Sequence, residues 1–278
     1  MRTHALRASW GATVLAGALA LGSPLASGAV GDEEPATTGA GIATIVDPSR
    51  DPALDAASAA AGRGPSVAAP SPPNPEAPSS YLLVRVRRDL PVRADPRLTA
   101  RVVGTMPNGS KYYDVPVTAW VEEVSTDGRW GRVEIPYVWP RRHGWIALRD
   151  LARRSTNIEV HVDLSQHRIT VAKFDRVLFG LPAATGTAAS PTPPGEYFVT
   201  DRIPFSGGSL GTFAYGISGI QPHLPPGWSG GNQLAIHGTN DPSSIGRSAS
   251  AGCLRVSERS LDRLKPLLKL GTPVIVVP

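Results

Sequence analysis

Two residues near the C-terminal end of the chain could carry covalent chemistry. Cys253 is the only cysteine among 278 residues, and His237 stands shortly before it. A thiol attacks carbonyl carbon at neutral pH as the thiolate, which a paired histidine, a helix N-terminus or a cation can favour. Here a helix predicted from Ser257 offers an N-terminus, and Arg255 offers a cation. The residues predict a Cys–His acyl-transfer site; the alternative is a small buried cysteine without chemistry.

The residues around this pair form an ordered signature. Ile236-His-Gly-Thr-Asn-Asp-Pro, followed by Ser250-Ala-Gly-Cys-Leu-Arg, resembles the active-site signature of the L,D-transpeptidases, the YkuD-like fold. Upstream, Thr185-Gly and Thr192-Pro-Pro-Gly-Glu resemble the "TG…TPxG" segment of the same family. One position departs from the pattern, because Ala251 stands where the family usually has a second histidine.

The resemblance implies a role for each site residue. The predicted residues are Cys253 as nucleophile, His237 as base and Gly238 as the carbonyl that holds the imidazole; Gly252 and Ser250 for the oxyanion hole and its turn; and Arg255, Tyr215 and Thr239 for substrate binding. Asp241 is an alternative orienter of the histidine. A structural salt bridge is the alternative for Arg255.

The resemblance further implies an enzyme of cell-wall biogenesis that influences cell shape. Its nucleophile would attack the L,D peptide bond of a tetrapeptide stem, release the terminal D-amino acid and pass the acyl group to an amine of a neighbouring stem, giving a 3→3 cross-link. Covalent inhibition by carbapenems is expected. Two alternatives stay open: an L,D-carboxypeptidase that uses water as acceptor, and a non-catalytic cell-wall-binding protein. No metal is expected, since metal-ligand spacing is absent. No cofactor is expected either, because thioester chemistry uses only the thiol, the imidazole and backbone dipoles. Nucleic acid is not an expected partner of an exported protein.

The first 79 residues are predicted to precede the folded part. Residues 1–29 have a basic start, an apolar run and small residues at Ser27-Gly-Ala, which is typical of a signal peptide. Residues 30–79 are rich in proline and alanine and predict a disordered linker. We therefore expect a secreted, extracytoplasmic protein in the cell wall, without a membrane span after signal cleavage.

Residues 80–154 predict a small β-barrel. Short apolar runs alternate with Pro/Gly turns, as in Val102-Val-Gly-Thr-Met-Pro-Asn-Gly, and the order of these motifs resembles a bacterial SH3-like domain. The segment is rich in arginine within a chain of net charge +5. A basic surface suits an anionic wall polymer; the alternative is an ordinary solvated face.

Residues 155–278 predict the catalytic domain. Ile158, Val160 and Val162 alternate with polar residues and predict the first strand of a hairpin. The Gly- and Pro-rich stretch from Phe205 to Gly231 predicts a long loop that acts as a lid. The fold class is therefore mainly β: a small SH3-like barrel followed by a β-sandwich-like L,D-transpeptidase domain with a few helices.

Overall fold

Strands dominate the part of the chain that the computed structural model describes, residues 80–174 and 176–278. The predicted signal peptide, residues 1–29, and the predicted linker, residues 30–79, lie outside the described residues. Within those residues, no helix has the length and apolar character needed to cross a membrane.

The N-terminal part, residues 80–156, contains eight strands. These are β1 Tyr81–Arg85, β2 Leu90–Arg93, β3 Val102–Met106, β4 Thr118–Val121, β5 Glu123–Val124, β6 Trp130–Glu134, β7 His143–Ala147 and β8 Ala152–Thr156. They form sheets of order β4-β1-β8 and β3-β2-β7-β6-β5, which share a core around Val84, Met106 and Ile146. The resemblance to an SH3-like domain stays a prediction. The predicted boundary after residue 154 falls inside β8.

The C-terminal part contains eleven strands and one α-helix among the described residues. These are β9 Ile158–Asp163, β10 Arg168–Lys173, β11 Arg176–Pro182, β12 Thr185–Gly186, β13 Gly195–Phe198, β14 Ile203–Pro204, β15 Phe213–Ile220, β16 Gln233–His237, β17 Ser248–Ser250, β18 Leu254–Arg255, α1 Glu258–Leu264 and β19 Pro273–Val277. They form sheets of order β11-β10-β9-β19-β13, β14-β15-β16-β18 and β12-β17.

Alternation of apolar residues explains how the two larger sheets of the C-terminal part pack. Val160 and Val162 of β9 are fully buried, and they share one core with Ile236 of β16 and with the helix residues Leu261 and Leu264. The helix begins where the Ser257 hydroxyl accepts the Ser260 N–H. The prediction of a mainly β fold is confirmed.

The predicted long lid from Phe205 to Gly231 is wrong in its middle, which forms the buried strand β15. The glycines of β15 serve close packing rather than a loop. A Cβ at Gly216 would lie 2.4 Å from Gln233 Nε2, and one at Gly219 would lie 2.5 Å from Tyr197 Cε1. The segments before and after β15 remain as loops beside the site.

Candidate active site

A parallel strand pair places the cysteine and the histidine on one face. β16 and β18 pair Ile236 with Leu254 and His237 with Arg255. Ile236 and Leu254 point into the core, at 0% and 1% exposure. Since side chains alternate along a strand, the residues next to Ile236 and next to Leu254 in the chain face the other side. There His237, Cys253 and Arg255 line one cavity of about 180 Å³.

The structure defines the tautomer of His237. Its Nδ1 lies 2.5 Å from the carbonyl oxygen of Gly238, and because a carbonyl can only accept, Nδ1 carries the proton. The lone pair of Nε2 is therefore left to act as a base. Burial lowers the pKa of His237 to about 4, the Gly238 bond acts in the opposite direction, and the charge of Arg255 lowers the pKa further. The imidazole is thus neutral at neutral pH.

Cys253 is partly exposed to the cavity. Its Sγ lies 3.9 Å from the carbonyl oxygen of Gln233, a weak S–H···O contact in which the thiol donates. Burial raises the pKa of the thiol, while a backbone contact to Ala235 and the charge of Arg255 lower it by less. With a protonated thiol and a neutral imidazole, the resting site is a neutral pair rather than a thiolate–imidazolium pair.

This protonation state predicts how the thiol reacts with a small alkylating agent. Because only the thiolate reacts, the rate with iodoacetamide should rise steadily from pH 6 to pH 9. The half-maximum should lie above the ordinary thiol value of about 8.5. The measurement is loss of free thiol against pH by intact mass. A plateau between pH 5 and pH 8 would instead show a preformed ion pair.

The turn before Cys253 is held by Ser250. The Ser250 hydroxyl donates to the carbonyl oxygen of Cys253 at 2.6 Å and accepts the N–H of Gly252 at 3.0 Å. This geometry corrects the prediction for Gly252, since its N–H is already bonded and is not available to an oxyanion. Gly252 has φ +115°, and a Cβ there would lie 2.1 Å from Gln221 Nε2, so the position requires glycine.

Two further side chains hold the same turn. The Thr192 hydroxyl donates to the carbonyl oxygen of Gly252 at 2.8 Å and accepts the N–H of Gly186 at 2.9 Å. Gln221 Nε2 donates to the carbonyl oxygen of Ala251 at 3.2 Å. The upstream Thr-Gly and Thr-Pro-Pro-Gly motifs therefore support the cysteine turn. Gln221 carried no signal in the sequence.

Residues of the N-terminal part also line the cavity, which the sequence did not predict. Tyr112 and Tyr113, between β3 and β4, stand at its mouth beside Trp228, and these three side chains are 49%, 48% and 48% exposed. The Asn232 side-chain oxygen accepts from Lys111 Nζ at 2.7 Å and from the Tyr112 hydroxyl at 3.3 Å. These bonds hold the loop that carries Tyr112 and Tyr113 against the segment that leads into β16.

Tyr215 and Thr239 do not line the cavity, which corrects both predicted substrate contacts. Tyr215 pairs with Ile236 across β15 and β16 and therefore shares its core-facing side, at 0% exposure. The Thr239 hydroxyl accepts the N–H of Asp241 at 3.0 Å and stabilises the turn after the histidine.

Asp241, the alternative orienter, is occupied within its own turn. Its carboxylate accepts the N–H and the hydroxyl of Ser243, at 3.2 and 2.5 Å. The imidazole is held by Gly238 instead. In residues 80–174 and 176–278, no group of three or more His, Cys, Asp or Glu residues could hold a metal ion.

Residues 157–276 match the family model described as the YkuD L,D-transpeptidase catalytic domain. This stretch is therefore similar to an L,D-transpeptidase catalytic domain. A relative from Bacillus licheniformis, named "Putative L,D-transpeptidase YkuD", is 34% identical over 119 residues, which cover 43% of this chain and 65% of the relative. The chain thus spans just under two thirds of that protein's length.

Two solved structures are also similar. The L,D-transpeptidase from Mycobacterium smegmatis has a TM-score of 0.38 and 15% identity, covering 70% of this chain and 99% of that chain. The L,D-transpeptidase LdtMt1 in complex with imipenem has a TM-score of 0.37 and 19% identity, covering 70% of this chain and 82% of that chain.

Proposed function

We propose that the protein is an exported peptidoglycan L,D-transpeptidase with Cys253 as nucleophile and His237 as base. The observation that carries this proposal is the strand pair that presents both side chains to one cavity, with Nδ1 of His237 bonded to Gly238. The match of residues 157–276 to the catalytic domain supports it.

The neutral resting pair supports general-base attack. Nε2 of His237 takes the thiol proton as Sγ of Cys253 bonds to the carbonyl carbon at the L,D peptide bond of a tetrapeptide stem. The tetrahedral intermediate collapses, the C–N bond breaks, and the imidazolium returns the proton to the departing D-amino acid. A thioester remains. An amine of a neighbouring stem attacks it, giving a 3→3 cross-link and restoring the thiol.

The oxyanion donor must come from the same turn. Because the N–H of Gly252 donates to Ser250, we assign this role to the N–H of Cys253, the next donor along the backbone. Arg255 lines the cavity two residues further along the same face. Its charge favours both the thiolate and the anionic groups of a stem peptide.

Ala251 is the one feature that favours a non-catalytic wall-binding protein. The turn nevertheless has its own supports, because Gln221 holds the Ala251 carbonyl and Thr192 holds that of Gly252. The family's usual second histidine is therefore not needed to shape the turn.

The test is product analysis of purified protein with a disaccharide-tetrapeptide. The proposal predicts a dimer joined 3→3 and release of the terminal D-amino acid. Tripeptide without dimer would indicate an L,D-carboxypeptidase. Binding without any product, from a protein shown to be folded, would indicate a wall-binding protein. Inactivation by a carbapenem that acylates Cys253 is expected under either enzymatic alternative.

The aromatic mouth of the cavity is proposed to bind the donor stem. Replacing Tyr113 with alanine should raise KM about fivefold to tenfold and change kcat by less than about twofold, because the ring contacts ground state and transition state alike. Steady-state kinetics check this. Tyr113→Phe should retain most of the affinity, and Leu98→Ala, at a side chain 73% exposed and away from the cavity, is the control. An unchanged KM would contradict the assignment.

Export is proposed with the activity, since a peptidoglycan substrate lies outside the cytoplasm. A secreted, cell-wall location agrees with the predicted signal peptide at residues 1–29 and linker at residues 30–79. The proposed SH3-like domain would then hold the catalytic domain at the wall.

A further inference from the structure

A second cavity lies where the N-terminal and C-terminal parts meet. It has a volume of about 600 Å³ and is lined from both parts of the chain. Four cationic side chains line it: Arg85, Arg154, Arg202 and Lys269. The hydroxyl residues Thr118, Ser155 and Thr156 lie among them.

Strand register explains why two of these cations converge. β1 pairs with β4 and β8, which places Arg85 beside Thr118 and Leu83 beside Arg154. Because Leu83 and Arg85 are two residues apart on one strand, these four side chains share one face of the sheet. Arg85 and Arg154 thus lie on that face as close neighbours of like charge.

The other two cations come from the C-terminal part. The turn at Lys269 and Gly271 presses on the same face, since a Cβ at Gly271 would lie 2.9 Å from Thr118 Cγ2 and 3.1 Å from Leu83 Cδ1. Arg202, which follows β13 in the chain, also lines the cavity. One of its guanidinium nitrogens donates to the carbonyl oxygen of Lys265 at 2.8 Å.

These cations have no acidic counterpart. Within the described residues, no aspartate or glutamate lines the cavity, and none of the four cations forms an ion pair. Like charges gathered in a cleft repel one another, and the cleft focuses their field toward a mobile anion. Guanidinium groups match phosphate oxygens in pairs, and hydroxyls can donate further bonds.

We propose that this cavity binds the phosphate groups of a linear polyanion, a polymer of linked phosphates. Four cations spread over one large cavity suit several linked phosphates better than a single ion. A membrane surface fits less well, because the large apolar side chains exposed on this protein lie elsewhere: none of them lines the cavity in the described part of the chain. This binding does not require the acyl-transfer chemistry.

The test measures binding of fluorescent polyphosphate to the full chain by anisotropy. Arg85→Gln combined with Arg154→Gln should weaken binding about tenfold or more. The matched control, Arg101→Gln combined with Arg129→Gln, removes the same charge from exposed positions outside the cavity and should change binding less than twofold. Equal losses in both double variants would overturn the proposal, since binding would then follow net charge alone.

Two competing ligands complete the design. Polyglutamate should bind at least about tenfold more weakly than polyphosphate, because its carboxylates lie at the ends of flexible side chains whose ordering costs conformational entropy, whereas the charges of polyphosphate lie on its backbone. Vesicles containing phosphatidylglycerol should show no loss of binding in the Arg85/Arg154 variant beyond that in the control. Equal binding of polyglutamate would overturn the assignment to phosphate. A loss of vesicle binding specific to the Arg85/Arg154 variant would overturn the assignment to a polymer.

Discussion

Replacing Cys253 with alanine should reduce product formation by at least about 10³-fold, below the detection limit of most assays. No other side chain of the chain carries a thiol, so no residue can replace it in thioester formation. The measurement is release of the terminal D-amino acid from a disaccharide-tetrapeptide. Substrate binding should remain, because the cavity walls are unchanged.

The alanine variant also separates chemistry from folding. Cys253 is partly exposed and makes only a weak contact to the Gln233 carbonyl oxygen, so thermal unfolding should change little. An active Cys253→Ala protein would contradict the proposed mechanism outright. An unfolded one would be recognised by its lost thermal transition, and Cys253→Ser then provides the second test.

Replacing His237 with glutamine should lower kcat by about 10²–10⁴-fold, the usual contribution of a positioned base. Since the pKa of His237 lies at about 4, the wild-type base stays neutral and competent down to about pH 5. The pH profile of kcat should therefore show no loss between pH 8 and pH 6 that is due to this histidine. The glutamine variant should be slow throughout that range.

A matched histidine serves as the control for this variant. His161 lies on β9, where its side chain is 44% exposed and contacts Glu159, and it is not among the residues that line the cavity. His161→Gln should retain wild-type kinetics. Alkylation of the thiol by iodoacetamide at pH 9 should persist in His237→Gln, because hydroxide can then remove the proton. Full transfer activity without His237 would show that another group acts as the base.

Local alternation predicted β9, from Ile158, Val160 and Val162, because such a pattern is short-range. The order of the signature predicted both candidate reactive residues. The structure adds the pairing of β16 with β18, which presents Cys253 and His237 to the same side. Such a pairing depends on contacts between distant segments.

The failed predictions have physical causes that the sequence does not display. The Gly- and Pro-rich stretch that includes Tyr215 predicts a lid, but Gly216 and Gly219 are required by close approach inside a buried strand. A one-residue change of register would have turned Tyr215 toward the cavity. The side to which a strand residue points cannot be known before the register is known.

The mouth of the cavity illustrates a second limit. Tyr112 meets Asn232, a residue 120 positions further along the chain. Nothing in the local pattern of the N-terminal part marks its tyrosines as part of a site. Gln221 was missed for a related reason, since its role depends on how closely it approaches the turn at Gly252.

Intact-protein mass spectrometry tests the central claim most directly. Purified protein is mixed with a disaccharide-tetrapeptide, quenched in acid and compared with Cys253→Ala; imipenem provides a second acylating probe. We predict an adduct equal to the donor minus its terminal D-amino acid, located on Cys253 and absent from the variant. Product formed by wild-type protein without any adduct to Cys253 from either probe, or an adduct on the alanine variant, would contradict it.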